Sequence, residues 1–184
     1  MLSDAALTEP PSALVGQAAC NPCNQSPLEK ATAPWLEAGM KWVSSQVNYS
    51  ARGAEPLVRR QDYSWGPGRS LLVANIYDVT ASGERLPVVQ LFYLWDSKEQ
   101  SIKAFGIEPS GLYLDGYITH EGQDSWQYIF TGASPSGKTF VSMEETRHEN
   151  GKMIVVGYLS DGHGGWTSPS EESVWLPVAT DGSP

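Results

Sequence analysis

From Gly39 onward the chain alternates β-branched or aromatic residues with polar ones, and clusters of turn-forming residues interrupt the alternation at intervals of roughly ten residues. A period of two is that of an extended strand, whose successive side chains point to opposite faces. The pattern predicts strands over 40–49, 57–65, 70–80, 86–95, 101–107, 112–119, 125–131, 138–147, 153–159 and 170–178. The separators, among them GPGR, ASGER, DSKEQ, EPSG and HENGK, nearly all carry the Gly, Pro, Asn or Asp that a tight turn needs for a positive or fixed φ. Ten such strands with almost no helix leave two architectures, a sandwich or a closed barrel. The meander order favours an all-β, single antiparallel up-and-down barrel of about eight to ten strands, because closure removes the unpaired edges of a long sheet. A barrel of that size is wide enough to hold a small ligand.

Ahead of the strands, residues 1–25 are rich in Pro, Ala, Ser and Asn without periodicity and are expected to form an irregular arm. Residues 26–178 then make the barrel domain, and 179–184 a tail. SPLE reads as a helix start, with Ser26 as cap, Pro27 at the first helical position and Glu29 completing a capping box. Pro34 is expected to limit this helix to one or two turns ending near Leu36. Cys20 and Cys23 have C-x-x-C spacing, but no second pair completes a zinc site and no strand precedes them. A tail disulfide or two free thiols is expected there, and no metal.

A chain of 184 residues suits one domain with a real core. Its 12 Lys and Arg against 21 Asp and Glu give a net charge of −9, which argues against nucleic acid and anionic lipid as partners. No window of about 18 apolar residues exists, so no membrane insertion is expected. MLSDAALTEPPSALVGQAAC holds no basic residue and no long apolar run, unlike a signal peptide. The expected location is the cytoplasm, or a secreted or periplasmic one if a signal was removed.

Residues 132–139, GASPSGKT, fit the G-x-x-x-x-G-K-[ST] pattern of a phosphate-binding loop. Such a loop works by joining a strand to a helix whose N-terminal N–H groups meet the phosphates. Here Thr139, Phe140 and Val141 are poor helix formers, the segment alternates as a strand, and too few residues follow for the β-α-β units of such folds. The expected structure is a hairpin turn in which Pro135 sets φ and Gly137 takes a left-handed conformation.

APWLEAGMKW resembles the N-terminal stretch of nitrobindin-like and related lipocalin-like barrels, which include a widespread bacterial family of unknown function. YSWGPGRSLLVANIY resembles the second hairpin of that family, and LFYLWDSKEQSIKAFGIEPSGLYLDGYI its next hairpins. The resemblance covers roughly residues 34–160 and rests on turn and aromatic pattern. It implies a calycin-type barrel whose interior binds a small, mostly apolar molecule. Nitrobindins also carry a haem-ligating His near the C-terminal strand, whereas SVWLPV has none; haem is not implied and no cofactor is expected.

Polar groups facing a barrel interior are costly unless paired or used, so the alternation yields two candidate linings. One presents Asn75, Tyr77, Gln90, Phe92, Asp115, Tyr117, Tyr128 and Glu144, a set of amides, phenols and carboxylates with an aromatic wall. The other presents Ala74, Ile76, Leu91, Tyr93, Leu112, Leu114 and Met143 and is greasier. Alternation alone leaves the inward face open, and polar-out is the default of an antiparallel sheet. For a functional site the first set is preferred, with Asn75, Tyr77, Gln90, Phe92 and Tyr128 as ligand contacts and His163 in the Gly-rich loop SDGHGGW at the barrel mouth. Glu144, Asp115 and Tyr117 are the candidate proton-transfer groups, since a carboxyl buried against aromatics has a raised pKa and can act as general acid or base. Glu145 and Arg147 are expected to form an exposed pair, and His120, His148 and His163 lack metal-ligand spacing. The leading expectation is a barrel that binds a small hydrophobic or aromatic molecule. Its alternatives are a cofactor-free isomerase, cyclase or lyase on the same barrel, working by acid/base catalysis, and a structural or interaction domain with a filled core.

Overall fold

The computed structural model describes residues 25–36, 40–49, 56–122, 124–170 and 172–178. Residues 1–24 of the expected arm, with Cys20 and Cys23, and the tail 179–184 lie outside the described residues. Helix α1 (Pro27–Leu36) precedes ten strands: β1 (Lys41–Tyr49), β2 (Pro56–Trp65), β3 (Leu72–Val79), β4 (Arg85–Asp96), β5 (Ser101–Ile107), β6 (Tyr113–His120), β7 (Ser125–Ala133), β8 (Thr139–Glu149), β9 (Lys152–Leu159) and β10 (Ser173–Pro177). They close into a barrel in the order β1-β10-β9-β8-β7-β6-β5-β4-β3-β2, each strand antiparallel to its neighbours. A closed antiparallel barrel with one short helix is the architecture that the turn spacing and the calycin-like resemblance implied. No helix among the described residues is long and apolar enough to cross a membrane.

The capping box forms as its residues require. The Glu29 backbone N–H donates to Ser26 Oγ at 3.2 Å, and the Ser26 N–H donates to Glu29 Oε2 at 2.8 Å, satisfying donors that a helix start otherwise leaves unpaired. Arg69, on the β2–β3 turn, bonds the other oxygen of Glu29 at 2.9 Å and ties the helix start to the barrel rim. The helix ends at Leu36 as expected, but at 10 residues it is longer than one or two turns, with Pro34 inside it. The proline falls in the last turn, where it forfeits a single backbone bond. Leu28, Thr32 and Trp35 meanwhile share one buried face at helical spacing, and burying that face holds the turn.

GASPSGKT is a hairpin turn and not a phosphate cradle. The Ser134 N–H donates to Lys138 O and the Gly137 N–H to Ser134 O, both at 2.9 Å, and Gly137 has φ of 81°. The strand that follows, β8, leaves no helix N-terminus to meet a phosphate.

Residues directly opposite each other on neighbouring strands share a face, so the registers determine which side chains turn inward. Leu72 and Ala74 of β3 face Tyr93 and Leu91 of β4; Ile102 and Ala104 of β5 face Ile118 and Gly116 of β6; Trp126, Tyr128 and Phe130 of β7 face Thr146, Glu144 and Ser142 of β8. These rows contain the buried core, and α1 closes one end of it. Trp35 packs edge-on to Tyr93 and Trp126 at ring separations of 5.4 and 5.9 Å and stacks on Tyr128 at 5.9 Å. The helix end of the barrel is therefore filled.

Toward the opposite end the packing changes. Ile76, Leu91, Leu114, Phe140 and Ser142 turn inward by register but are only half-buried, and Glu144 and Leu159 are exposed. Small residues make this space. Gly132 lies opposite Phe140, and a Cβ there would sit 2.2 Å from the tip of the phenyl ring, so the ring folds flat over the glycine.

Candidate functional site

The interior left open by α1 centres on Glu144. Its Cα partners are Tyr128 on β7 and Gly157 on β9, so the side chain turns into the barrel between an aromatic wall and a residue with no side chain. Two features of the chain expose it there. Gly157 has no side chain to cover that side, where the nearest atom to a Cβ position is Ser170 Oγ at 3.5 Å, and β10 is only 5 residues long, pairing with β9 at Met153, Ile154 and Val155 alone. Beyond that point the backbone of β9 is satisfied by the incoming loop: Gly157 N–H donates to Ser170 Oγ at 2.9 Å, and Leu159 N–H donates to Thr167 Oγ1 at 3.1 Å. Pro169 in this stretch lacks an N–H and keeps it from joining the sheet as a regular strand. A cleft of ≈ 340 Å³ follows, lined by Glu144, Gly157 and Leu159 from the inner side of β8 and β9, by Met143 and Tyr158 from their outer side, and by Ser170 of the incoming loop.

Glu144 makes no hydrogen bond or ion pair with another described residue. Its carboxyl remains accessible to water-sized space, yet the barrel walls surround it, and that burial raises its pKa above the ordinary carboxyl value. The register with Tyr128 turns the side chain to the inner side of β8. The neighbouring phenols are more enclosed. Burial, followed by the charges of Tyr63, Tyr128 and Glu144, holds the Tyr93 hydroxyl well above its usual range; burial, then Tyr63 and Glu144, does the same for Tyr128. Burial likewise raises Tyr63, whose hydroxyl accepts from Gln61 Nε2. These phenols stay protonated, so they can donate hydrogen bonds but cannot act as bases. The Trp35 indole N–H is also buried without a hydrogen-bond partner among the described residues.

A second inward charge system lies nearer the open end. Arg59 and Asp78 face each other across the β2–β3 ladder and pair in two-pronged fashion, Nε to Oδ1 at 2.9 Å and Nη2 to Oδ2 at 3.1 Å. Asp78 is 7% exposed.

Of the residues expected to contact a ligand or move a proton, Glu144 and Tyr128 come together on the inner wall. The others lie on the outer face, because the parity that is inward on β7 and β8 is outward on β3 to β6. Gln90 Nε2 donates to Asn75 Oδ1 at 2.8 Å; the Tyr77 hydroxyl donates to Asp62 at 2.8 Å beneath the Arg85 guanidinium; Phe92 stacks on Phe105 at 5.0 Å. Asp115 pairs with Lys103, whose ammonium also sits over the Tyr117 ring at 4.4 Å. His163 is exposed in the loop after β9, its backbone N–H bonded to Asp161 at 2.7 Å. Met143, from the greasier set, has the outward register of Ile129 but is buried there. Arg147 is paired as expected on the outer face, but with Glu149 and Glu172 at 2.8 and 2.7 Å, while Glu145 accepts from the Tyr158 hydroxyl.

Two larger clefts lie elsewhere. One of ≈ 750 Å³ runs between α1 and the ends of β4 to β6, past Lys30, Trp95, Ile102 and His120; another of ≈ 480 Å³ lies at the β3–β4 bulge and gathers Asn75, Tyr77 and Gln90 with Ile76 and Val89. Their charged groups are paired or solvated: Arg85 lies 3.9 Å from Asp62, Glu99 pairs with Lys98, and Lys30 is exposed. Among the described residues no group of His, Cys, Asp and Glu is placed to hold a metal ion. Sequence reasoning missed Trp35, Gln61, Tyr63 and the Arg59–Asp78 pair; the apolar spacing of Leu28 and Trp35 in α1 was the available signal for the first. The chain matches no protein-family model and no curated protein.

Proposed function

We propose that the barrel binds a small hydrophobic or aromatic molecule in the part of its interior that α1 leaves open. The ligand's apolar body lies against Leu159 and the neighbouring wall of the cleft, and its polar group meets Glu144. The observation that carries this reading is the unpartnered carboxyl of Glu144. Polar groups inside a barrel are normally paired, and one left unpaired costs stability that a ligand can recover. The resemblance to nitrobindin-like barrels supports the reading only through shared architecture.

Uptake of N-phenyl-1-naphthylamine, whose fluorescence rises in an apolar cavity, tests it. Saturable uptake by the wild type and its loss in Ser142→Trp, which fills the inward space beside Glu144, are expected. Equal uptake by both proteins would sink the lumen as the site.

A second reading is favoured by one observation, the raised pKa of Glu144 beside phenols that stay protonated. A carboxyl so tuned holds its proton more tightly than an ordinary one and can give and regain it while Tyr93 or Tyr128 donates a hydrogen bond to developing negative charge. The corresponding activity is a cofactor-free isomerisation, cyclisation or elimination. Glu144→Gln would then abolish turnover while leaving binding in place, whereas in a pure carrier there is no turnover to lose.

A further inference from the structure

We infer that the lumen's ligand is an organic cation, an ammonium group carried on an apolar or aromatic body, with Glu144 as its counter-charge. The inference rests on the lumen being a binding site and adds the charge of what it binds.

The inward-facing charges on the described strands decide it. Arg59 and Asp78 are committed to each other through two hydrogen bonds and cancel. His120 and His148 turn inward at the helix end, where they pack against Trp126 at 5.6 and 5.0 Å, behind the aromatic layer. Glu144 is left as the uncompensated charge, and its inward neighbours across the ladders, Tyr128 and Gly157, carry no cation. An ionised carboxylate in a walled, low-dielectric space attracts a positive group far more strongly than one in water. The faces of Phe140 and the nearby phenols add a quadrupole attraction of the same sign. A neutral ligand offers the carboxyl no opposite charge, whereas a cation favours its ionised form against the burial that otherwise holds its proton. An anionic one would meet both Glu144 and a chain of net charge −9.

The test compares phenethylamine, protonated at neutral pH, with propylbenzene, in which a methyl group replaces the ammonium. Affinities are measured by calorimetric titration of the full chain and of Glu144→Gln. Phenethylamine is expected to bind the wild type at least about tenfold more tightly than propylbenzene, as a charge-assisted hydrogen bond allows. Glu144→Gln should erase that preference by weakening the amine while leaving propylbenzene unchanged. If propylbenzene binds as tightly as the amine, or the preference survives in Glu144→Gln, the cation assignment is overturned while the lumen remains a binding site. If neither binds at millimolar concentration, the lumen reading itself fails.

Discussion

Glu144 stands directly across the β7–β8 ladder from Tyr128, both side chains turned into the barrel, and the ring of Tyr128 stacks on Trp35 of the helix that closes the far end. The helix therefore defines where the filled core stops and the accessible interior begins, and the boundary falls beside an unpaired acid.

The pH dependence of stability follows from that placement. Burial raises the Glu144 carboxyl above 4.5, so the folded chain holds this proton more tightly than the unfolded chain does. Its contribution is fully present below the unfolded value and is lost as pH rises through the raised folded value. The melting temperature of the wild type should fall relative to that of Glu144→Gln as pH increases from below 4.5 toward neutrality. Parallel curves would place the carboxyl in an ordinary aqueous setting.

Trp35 is 2% exposed and contacts three other rings. Trp35→Ala should cost about 3–5 kcal/mol in urea denaturation, the range for emptying a large aromatic site. A cost below about 1 kcal/mol would mean that the barrel core stands without its helix.

The glycine beneath Phe140 predicts a coupling. Gly132→Ala alone forces the ring aside and should cost about 1–3 kcal/mol. In the double variant with Phe140→Ala the added methyl has room, so the two costs should sum to more than the measured total. Gly116→Ala has no such rescue, because the new methyl would lie 1.9 Å from the Ile129 carbonyl oxygen, which is backbone. Strict additivity at Gly132 and Phe140 would remove the packing explanation.

Removing one partner of the inward ion pair should be costly. Asp78→Ala strands the Arg59 guanidinium; because the Arg59 side chain is 34% exposed, the expected loss is about 2–3 kcal/mol, below the full cost of breaking a dry pair. Replacing both residues by apolar ones of similar volume should recover most of it. A single variant as stable as the wild type would show the pair to be fully hydrated.

The outward residues give the contrasting expectation. Asn75→Ala, Asp115→Asn and Tyr117→Phe should each leave uptake into the lumen unchanged and shift stability by no more than about 0.5 kcal/mol. A selective loss of uptake in any of them would move the site to the outer face.

The strands and turns were legible because their signals are local. Alternation in TFVSMEETRH, the left-handed glycine of GASPSGKT and the Ser26–Glu29 box act within a few residues, and each appears in the structure as read. The helix ends near Pro34 as its sequence implied, and only its extra length was hidden, because the burial of Leu28, Thr32 and Trp35 that supports it comes from distant strands. The preferred lining mixed two faces for a related reason. Alternation relates neighbours on one strand, but the phase between strands passes through turns and the β3–β4 bulge, where a single extra residue reverses it.

The sequence by itself determined that this chain is a meander of antiparallel strands, that GASPSGKT is a turn, and that at most one of the adjacent Glu144 and Glu145 can face inward. Only the tertiary structure decided which one, and that Asn75, Gln90, Asp115 and Tyr117 belong to the outside. Inward and outward are properties of a closed sheet: closure sets the register of each strand against the next, and the docking of Trp35 decides how much of the enclosed space is filled.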